Sequence, residues 1–529
     1  MKNIQNQAVQ LQTTLPTTEA TVAKPKSVGT LWRRRLWQWH RTLGLLTILP
    51  VMFWALSGAM HPFMAHWFKS TIAREVLLPP TIDRNKIQVE LPAILEANQL
   101  VAIKNFHLVA WEGGLYYQVK TVRGTLRYFN TQTGAEVKEG DRLYAIYLAR
   151  KFLGDQTSTI LAAKPLTEFT AQYKYINRLL PVWHVRFNRP DGMELYIDTE
   201  SSRLGTFNDN NRKAFLWIFD TFHNWAFLDN FVSNEIRIVV MITLLTIVMA
   251  SALSGLWVYV VQWRKMKEKS VWVKSKGIRR YHRQLGVAVA LVSLTFTFSG
   301  AYHASRKFIP NRLPEMVYEP TIQADELKQA LSTLALDWDK VHKIGVIKHN
   351  KAVYYQTLYK APEGKAQTAT MYWNAETGEP WEKGNTEYAT FLTHHFANRF
   401  KESPSDNTIC CDEDLAGNNQ DLASASLLKT EELYRFDVKE YGFIFKRLPV
   451  VKLAFDTPDK QTYFIETTTS RLAAKIDNGD RREGLSFAIL HKFLLMDWAG
   501  KTVRDLVAIF SALGVLAVSF LGLALYLRR

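Results

Sequence analysis

Four apolar stretches constrain this chain more than any other feature of its sequence. They run approximately over Leu43–Met60, Ile236–Val261, Leu285–Tyr302 and Leu506–Leu527. A helix needs about 20 apolar residues, at a rise of roughly 1.5 Å per residue, to cross the hydrocarbon core of a bilayer. The first and third stretches are short by this measure, but tryptophans flank the first as they do at membrane interfaces. The sequence therefore predicts an α-helical membrane protein with four transmembrane helices.

The segments between these stretches are too long to be simple loops. The chain has 529 residues, more than one hydrophobic core requires. The first residues are rich in Gln, Thr and Lys and lack apolar periodicity, which is typical of a disordered tail. We predict this order: disordered cytoplasmic tail 1–31, transmembrane helix 1 at 32–66, extracytoplasmic domain 1 at 67–235, transmembrane helix 2 at 236–263, basic cytoplasmic loop 264–279, transmembrane helix 3 at 280–306, extracytoplasmic domain 2 at 307–502 and transmembrane helix 4 at 503–529.

The positive charge predicts the orientation of the chain. The net charge is +17, and basic residues cluster beside the apolar stretches. Arg33–Arg35 precede the first stretch, Arg528 and Arg529 follow the last, and the loop between the second and third stretches is strongly basic. Because basic residues are retained on the cytoplasmic side, we expect both termini and this loop in the cytoplasm and both large domains in the periplasm of a bacterial inner membrane. This placement favours membrane lipid over nucleic acid as the partner of the charge.

Short motifs occur twice along the chain in the same order. Each copy opens a span with an aromatic residue followed by His-Arg, closes it with Ser-Gly-Ala, and places a histidine before its second span. The matched segments are Trp39–Gly44 with Tyr281–Gly286, Ser57–His61 with Ser299–His303, and Phe222–His223 with Leu490–His491. We therefore predict two tandem repeats related by a pseudo-twofold axis along the membrane normal.

The segments between the spans carry matched hairpin patterns as well. An aromatic strand end is followed by a turn rich in Asn, Asp, Thr and Gly, which is typical of antiparallel sheet. The matched segments are Tyr128–Gly134 with Tyr372–Gly378 and Tyr196–Ser202 with Phe464–Ser470. Lys86–Ala97 and Thr321–Leu334 have the pattern of amphipathic helices. Each extracytoplasmic domain is therefore expected to be α+β.

These motifs resemble those of the PepSY-associated transmembrane family. The resemblance lies in the His-Arg-x-Leu-Gly openings, the Ser-Gly closings, the Tyr-x-Asp-Thr-like hairpins and the histidines before the second and fourth spans, and it covers nearly all of the chain after the tail. It implies PepSY-like outer domains. One branch of this family comprises inner-membrane siderophore reductases, which hold two b-type haems and reduce ferric iron on the periplasmic side. Other members are regulators or have no assigned role.

Six histidines at the predicted membrane boundaries are the candidate haem ligands: His40, His282, His61, His303, His223 and His491. Haem iron takes axial imidazoles, and two helices related by a twofold axis can offer one each. His40 and His61 lie about 31 Å apart along a helix and roughly 60° apart around it, so they face one side at opposite membrane surfaces. This predicts an inner haem on His40 and His282 and an outer haem on His61 and His303.

Simpler roles for these histidines stay open. His40 and His282, beside Arg41 and Arg283, could bind lipid phosphate, and His61 and His303 could cap helix ends. His223 and His491 could contact the outer haem instead. Arg41 and Arg283 are expected to pair with haem propionates, because a guanidinium matches the geometry of a carboxylate.

The preferred hypothesis is a transmembrane ferric-chelate reductase without a separate catalytic side chain. Phosphate-binding, zinc-protease, serine-hydrolase and nucleotide fingerprints are absent from the sequence, so electrons must come from a separate donor, a quinol or a cytoplasmic reductase. The alternatives are a haem-free scaffold or binding protein and a permease for the chelate. The adjacent Cys410 and Cys411 fit no metal-ligand spacing and are interpreted as a loop feature.

Overall fold

The computed structural model describes residues 28–268, 277–308, 313, 316–360, 368–402, 422, 424–437 and 440–528. Cys410 and Cys411, most of the predicted tail and the middle of the basic loop lie outside these residues. The α-helices in this part of the chain are α1 (Val28–Leu46), α2 (Ile48–Pro62), α3 (Leu91–Ala97), α4 (Gly140–Leu153), α5 (Asn210–Ile218), α6 (Asn234–Glu268), α7 (Ile278–Ser305), α8 (Gly384–Glu402), α9 (Asn478–Ser486) and α10 (Lys501–Leu527).

Four helical segments in the described residues are long and apolar enough to cross a membrane: Ile48–Trp67, Asn234–Val261, Ile278–Phe308 and Lys501–Leu527. They coincide with the four predicted stretches, so the prediction of a membrane protein with four candidate transmembrane helices is confirmed at this level. We call these segments spans one to four. They form a closed bundle, in which α6 packs against α1 and α7, and α10 packs against α2 and α7.

The first span continues directly from α1. Pro50 has no N–H group, so the carbonyl of Leu46 receives no bond from it and the helix is interrupted at Thr47. The amide of Thr47 still bonds the carbonyl of Leu43 at 3.1 Å, and the amide of Val51 bonds the carbonyl of Thr47 at 3.0 Å. α1 and α2 are therefore one nearly continuous rod.

The β-strands lie in the two long segments between the spans, which we call the first and second extramembrane domains. In chain order they are β1 (Ala102–Trp111), β2 (Gly114–Thr121), β3 (Leu126–Asn130), β4 (Ile160–Leu166), β5 (Val182–Phe187), β6 (Glu194–Asp198), β7 (Arg203–Asn208), β8 (Ile322–Gln323), β9 (Val341–His349), β10 (Ala352–Lys360), β11 (Thr368–Asn374), β12 (Leu427–Leu433), β13 (Val450–Phe455), β14 (Thr462–Glu466) and β15 (Arg471–Ile476).

All neighbouring strands in these sheets pair antiparallel. The sheet orders are β3-β2-β1-β8 and β4-β5-β6-β7, which lie mainly in the first extramembrane domain, and β11-β10-β9 and β12-β13-β14-β15 in the second. The predicted α+β character of both domains is therefore confirmed. Apart from α3 in the first domain and the two-residue β8 in the second, both domains have the same succession of three strands, a helix, four strands and a short helix leading to a span.

The two extramembrane domains share one hydrophobic core. Phe106 and Tyr117 of the first domain belong to the same buried cluster as Ile344 and Tyr355 of the second. α4 and α8 contribute to two further clusters, each with the four-stranded sheet of its own domain. The halves of the chain are thus joined outside the bundle as well as within it.

The helix predicted over Thr321–Leu334 is wrong. This segment contains β8 and two 3-10 turns, because its amides bond to other parts of the chain. The carboxylate of Glu90 accepts the amides of Leu331 at 3.0 Å and Ser332 at 3.2 Å. Tertiary contacts outweigh a weak local helix preference here.

Candidate functional site

Two histidines from different halves of the chain meet at the end of the bundle farthest from the extramembrane domains. His40 lies on α1 and His282 on α7, and their ring centroids are 6.4 Å apart, with 46° between the ring planes. We call them the distal pair. The two rings are thus close together, and their predicted role as ligands of one haem stays a prediction.

Hydrogen bonds fix the tautomer of both distal rings. His40 Nδ1 lies 3.0 Å from the carbonyl oxygen of Ser251 and 3.2 Å from Ser254 Oγ. His282 Nδ1 lies 3.2 Å from the carbonyl oxygen of Val518. A carbonyl oxygen can only accept, so each Nδ1 carries the proton and donates it. Each Nε2 therefore keeps a lone pair that can bind a metal ion.

Glycines let the distal rings lie close to the neighbouring helices. A Cβ atom built on Gly255 of α6 would lie 2.8 Å from Cε1 of His40, and one on Gly522 of α10 would lie 3.3 Å from Cε1 of His282. The first distance is too short for a real contact, and the second is tight. Neither glycine belongs to the repeated motifs described above, although aligning spans two and four on Ser251 and Val518 places the two glycines at the same position.

A second pair of histidines meets at the other end of the bundle. His223 and His491 have ring centroids 6.4 Å apart, with 89° between the ring planes. His223 Nδ1 lies 3.1 Å from Ser57 Oγ of α2, and His491 Nδ1 lies 3.1 Å from Ser299 Oγ of α7. We call these histidines the proximal pair, because they lie on the side of the extramembrane domains.

The serine hydroxyls fix the tautomer of the proximal rings. Ser57 Oγ donates its hydrogen to the carbonyl of Phe53 at 2.6 Å, and Ser299 Oγ donates to the carbonyl of Thr295 at 2.7 Å. A hydroxyl has one hydrogen, so each serine accepts from the histidine. Nδ1 is again the donor and Nε2 again keeps its lone pair. Both serines lie in repeat-matched segments of the sequence, but their bonds to histidines are evident only from the structure.

A π-helical turn positions each proximal histidine. α5 is continued by the π turn Phe219–His223, which the amide of Asn224 closes by bonding the carbonyl of Phe219 at 3.2 Å. The next residue, Trp225, has a positive φ of 55° and ends the helical path. Such turns add one residue to a helix and often occur at functional sites.

The second half repeats this construction. α9 is continued by the π turn Phe487–His491, which the amide of Lys492 closes at 3.1 Å. Phe493 follows with a φ of 53°. The proximal histidines thus come from short helices of the extramembrane segments and reach the spans from the side.

His61 and His303 lie on either side of the proximal pair. The ring of His61 is 5.6 Å from that of Phe219, which stacks on His223 at 4.4 Å. The ring of His303 stacks on Phe487 at 4.6 Å, and its Nδ1 lies 2.7 Å from Glu483 Oε1. Within the described part of the chain no ring contact joins His61 to His303. The rings of the predicted outer pair are therefore not in contact with each other in the described residues, and their role as haem ligands stays a prediction.

The ring separations suit a metal held between two imidazoles. Metal–imidazole bonds are about 2.0–2.1 Å long, which places the centroids of two rings on opposite sides of one ion about 6.4 Å apart. Within the described residues, no three His, Cys, Asp or Glu side chains gather in a way that could hold a bare ion. A zinc site needs three or four protein ligands. A haem needs only two axial ligands, because the macrocycle supplies the others, so the donor set fits haem better.

The two histidine pairs are separated by most of the membrane thickness. Ser57, which binds the ring of His223, lies about 25 Å beyond His40 along the rod of α1 and α2, at roughly 1.5 Å per residue. Aromatic side chains of α2 and α7 lie beside the proximal pair. Trp54 Nε1 donates to the carbonyl of His223 at 3.0 Å, and the ring of Phe296 is 5.2 Å from that of His491.

The two predicted propionate partners lie next to the distal histidines along their helices. Arg41 is exposed and Arg283 is half-buried. Their pairing with propionates stays a prediction.

A comparison with models of protein families gives no match, and neither does a comparison with curated proteins.

Proposed function

We propose that this chain is a bacterial inner-membrane haem b oxidoreductase that passes electrons outward and reduces a ferric siderophore or similar iron chelate. About two haems per chain are proposed, one at the distal pair and one at the proximal pair. The observation that carries this proposal is that each pair joins one histidine from each half of the chain, at a ring separation of 6.4 Å. Helix packing alone does not require two imidazole rings to come into contact twice.

The proposed haem positions differ from the pairing expected from the sequence on one point. His223 and His491, rather than His61 and His303, are the proposed ligands of the haem nearer to the extramembrane domains. The repeated succession of elements supports a tandem duplication about a pseudo-twofold axis, and the matched hairpins support PepSY-like domains.

The protein would hold its haems through the Nε2 atoms of the four paired histidines. Donation from each Nδ1 to a carbonyl or a hydroxyl orients the ring and raises its basicity, as outer partners of metal-bound histidines do. Bound haem supplies a reversible one-electron couple between ferric and ferrous iron. The chain sets the potential of that couple through these ligands, their hydrogen bonds and their burial.

The direction of electron flow follows from the proposed orientation. Arg33–Arg35 and Arg528 retain the termini in the cytoplasm, and the extramembrane domains then lie in the periplasm. A quinol or a cytoplasmic reductase is the proposed electron donor at the distal pair. Beyond the proximal pair, one electron converts the chelated ferric ion to ferrous iron, which is released.

The decisive experiment is an absorbance spectrum of the full-length protein purified in detergent from cells supplied with haem. We expect a Soret band that shifts on reduction with dithionite, and about two haems per chain by the pyridine haemochrome assay. A colourless preparation would overturn the proposal and favour the haem-free scaffold.

Orientation has its own test. In a variant whose native cysteines are replaced, a membrane-impermeant thiol reagent added to intact spheroplasts should label Arg123→Cys, in the turn between β2 and β3. It should not label Arg280→Cys, near the start of α7, until the membrane is broken. The opposite pattern would reverse the proposed direction.

A further inference from the structure

A small cavity lies where the two extramembrane domains meet. Its lining includes Tyr175 and Arg178 from the first domain and Arg447 and Arg471 from the second, together with atoms of Leu472 and Ala473. It has a volume of about 20 Å³, which suffices for one water molecule or a small ion. Three of these residues are arginines, and no described carboxylate is among the residues that line the cavity.

The first domain turns unpartnered donors towards this cavity. Nε and Nη1 of Arg178 and the hydroxyl of Tyr175 are buried and have no hydrogen-bond partner among the described residues. The guanidinium lies over the ring of Phe445 at 4.5 Å, a contact that leaves its N–H groups unused. Buried donors without partners are costly, so native structures rarely keep them.

The nearest carboxylates are already engaged. Glu466 is fully buried and binds Arg203, and it lies 2.6 Å from Arg447 Nη1. Burial alone would raise the pKa of Glu466, but these two arginines hold that pKa at about 2, so the carboxylate is charged. Glu319 lies 2.6 Å from Lys120 and 3.7 Å from Arg471.

Within the described residues, no ion pair joins Arg178 to a carboxylate. The surroundings of Arg178 disfavour its charged form, because burial lowers the pKa of Arg178 and the nearby Arg447 lowers that pKa further. A bound anion would accept the unused hydrogen bonds and offset both effects.

We propose that this cavity binds one small monovalent anion of about the size of chloride. The anion accepts hydrogen bonds from Arg178 and Tyr175 of the first domain and faces Arg447 and Arg471 of the second, so it joins the two domains. The proposal does not depend on haem or on iron reduction.

Thermal unfolding of the full-length protein in detergent tests this site. Sodium gluconate, whose anion is too large for the cavity, is replaced by sodium chloride at constant ionic strength. We expect the midpoint of unfolding to rise by a few degrees as chloride saturates the site. An identical midpoint in both salts would overturn the proposal.

Matched variants assign the effect to the cavity. Arg178→Gln should abolish the chloride-dependent rise. Lys446→Gln should keep it, because Lys446 occupies the corresponding turn of the second half, with a φ of 63° against 59° for Arg178, and does not line the cavity. Tyr175→Phe removes one donor without changing charge and should raise the half-saturating chloride concentration several-fold, a readout that remains if Arg178→Gln fails to fold. An unchanged chloride response in Arg178→Gln or Tyr175→Phe would contradict the assignment.

Discussion

The distal and proximal histidine pairs have the same ring separation but are held in different ways. The distal rings lie on the rods of the bundle and donate to main-chain carbonyls. The proximal rings lie on π turns that approach the bundle from outside and donate to serine hydroxyls. A carbonyl cannot be removed by substitution, whereas a hydroxyl can. The hydrogen bonds of the proximal histidines can therefore be changed by substituting single side chains, whereas those of the distal histidines can be changed mainly through helix packing.

Removing a histidine should have the largest effect. His40→Ala or His282→Ala should lower the haem content to about half, with the loss confined to the distal site, since each pair has its own ligands. His223→Ala or His491→Ala should remove the other half and abolish reduction of a ferric chelate. Haem content by the pyridine haemochrome assay and the low-spin spectrum of the remaining haem measure this. His394→Ala, a half-buried histidine of α8, is the control. Full haem content in both distal variants would reassign that pair to lipid contact.

Crowding the distal rings should have the next largest effect. Gly255→Ala would place a Cβ atom 2.8 Å from His40, so the ring must move, and we expect most of the distal haem to be lost. Gly522→Ala, at 3.3 Å from His282, should cause a smaller loss. Gly286→Ala is the matched control, because its Cβ atom would lie 3.9 Å from its nearest neighbour, Val518. Equal haem content in Gly255→Ala and Gly286→Ala would show that the ring does not depend on this close approach.

Removing a serine should weaken the proximal site by an intermediate amount. Ser57→Ala or Ser299→Ala deletes the acceptor of an Nδ1 proton, and such outer partners typically change metal affinity or activity by roughly 10–100-fold. We expect a lower retention of proximal haem against a haem-scavenging protein and a shifted reduction potential. Ser254→Ala should change the distal site little, because His40 keeps its bond to the carbonyl of Ser251. A larger effect of Ser254→Ala than of Ser57→Ala would contradict the contrast between the two sites.

Removing a flanking histidine should have the smallest effect on haem content. His61→Ala and His303→Ala should keep about two haems per chain, because neither ring belongs to a facing pair. A loss of half the haem in either variant would restore His61 and His303 as ligands. Haem content is again measured, and the His223→Ala variant is purified and assayed in parallel for comparison.

The spans could be predicted from the sequence because membrane crossing depends on the length and composition of one segment. The positions of the distal histidines followed from the same logic, since both lie on the rods. The pairing of His223 with His491 could not be predicted, because it depends on how two π turns pack against other helices. Helix geometry correctly places His61 beyond His40, but it carries no information on which ring faces which across the bundle.

Local pattern also failed where long-range contacts decide the backbone. Thr321–Leu334 has helical periodicity, yet its amides bond Glu90 from the other half of the chain. The proposed anion cavity could not be predicted either, because Arg178 and Arg447 are far apart in sequence. That the cavity is lined by arginines without a carboxylate is evident only once the two domains are packed together. In both places the deciding partner lies in the opposite half.

The shared core of the extramembrane domains has a consequence for biosynthesis. Ile103 pairs with Ile322, and the amide of Ile82 bonds the carbonyl of Val341, so the first domain is completed by strands made much later. At a synthesis rate of about 5–20 residues per second, the first domain waits on the order of tens of seconds for them. During this interval two further spans must be inserted while Phe106 and its neighbours remain uncovered. A chaperone would therefore be needed most during this interval, when the first domain has been synthesised but its partner strands have not.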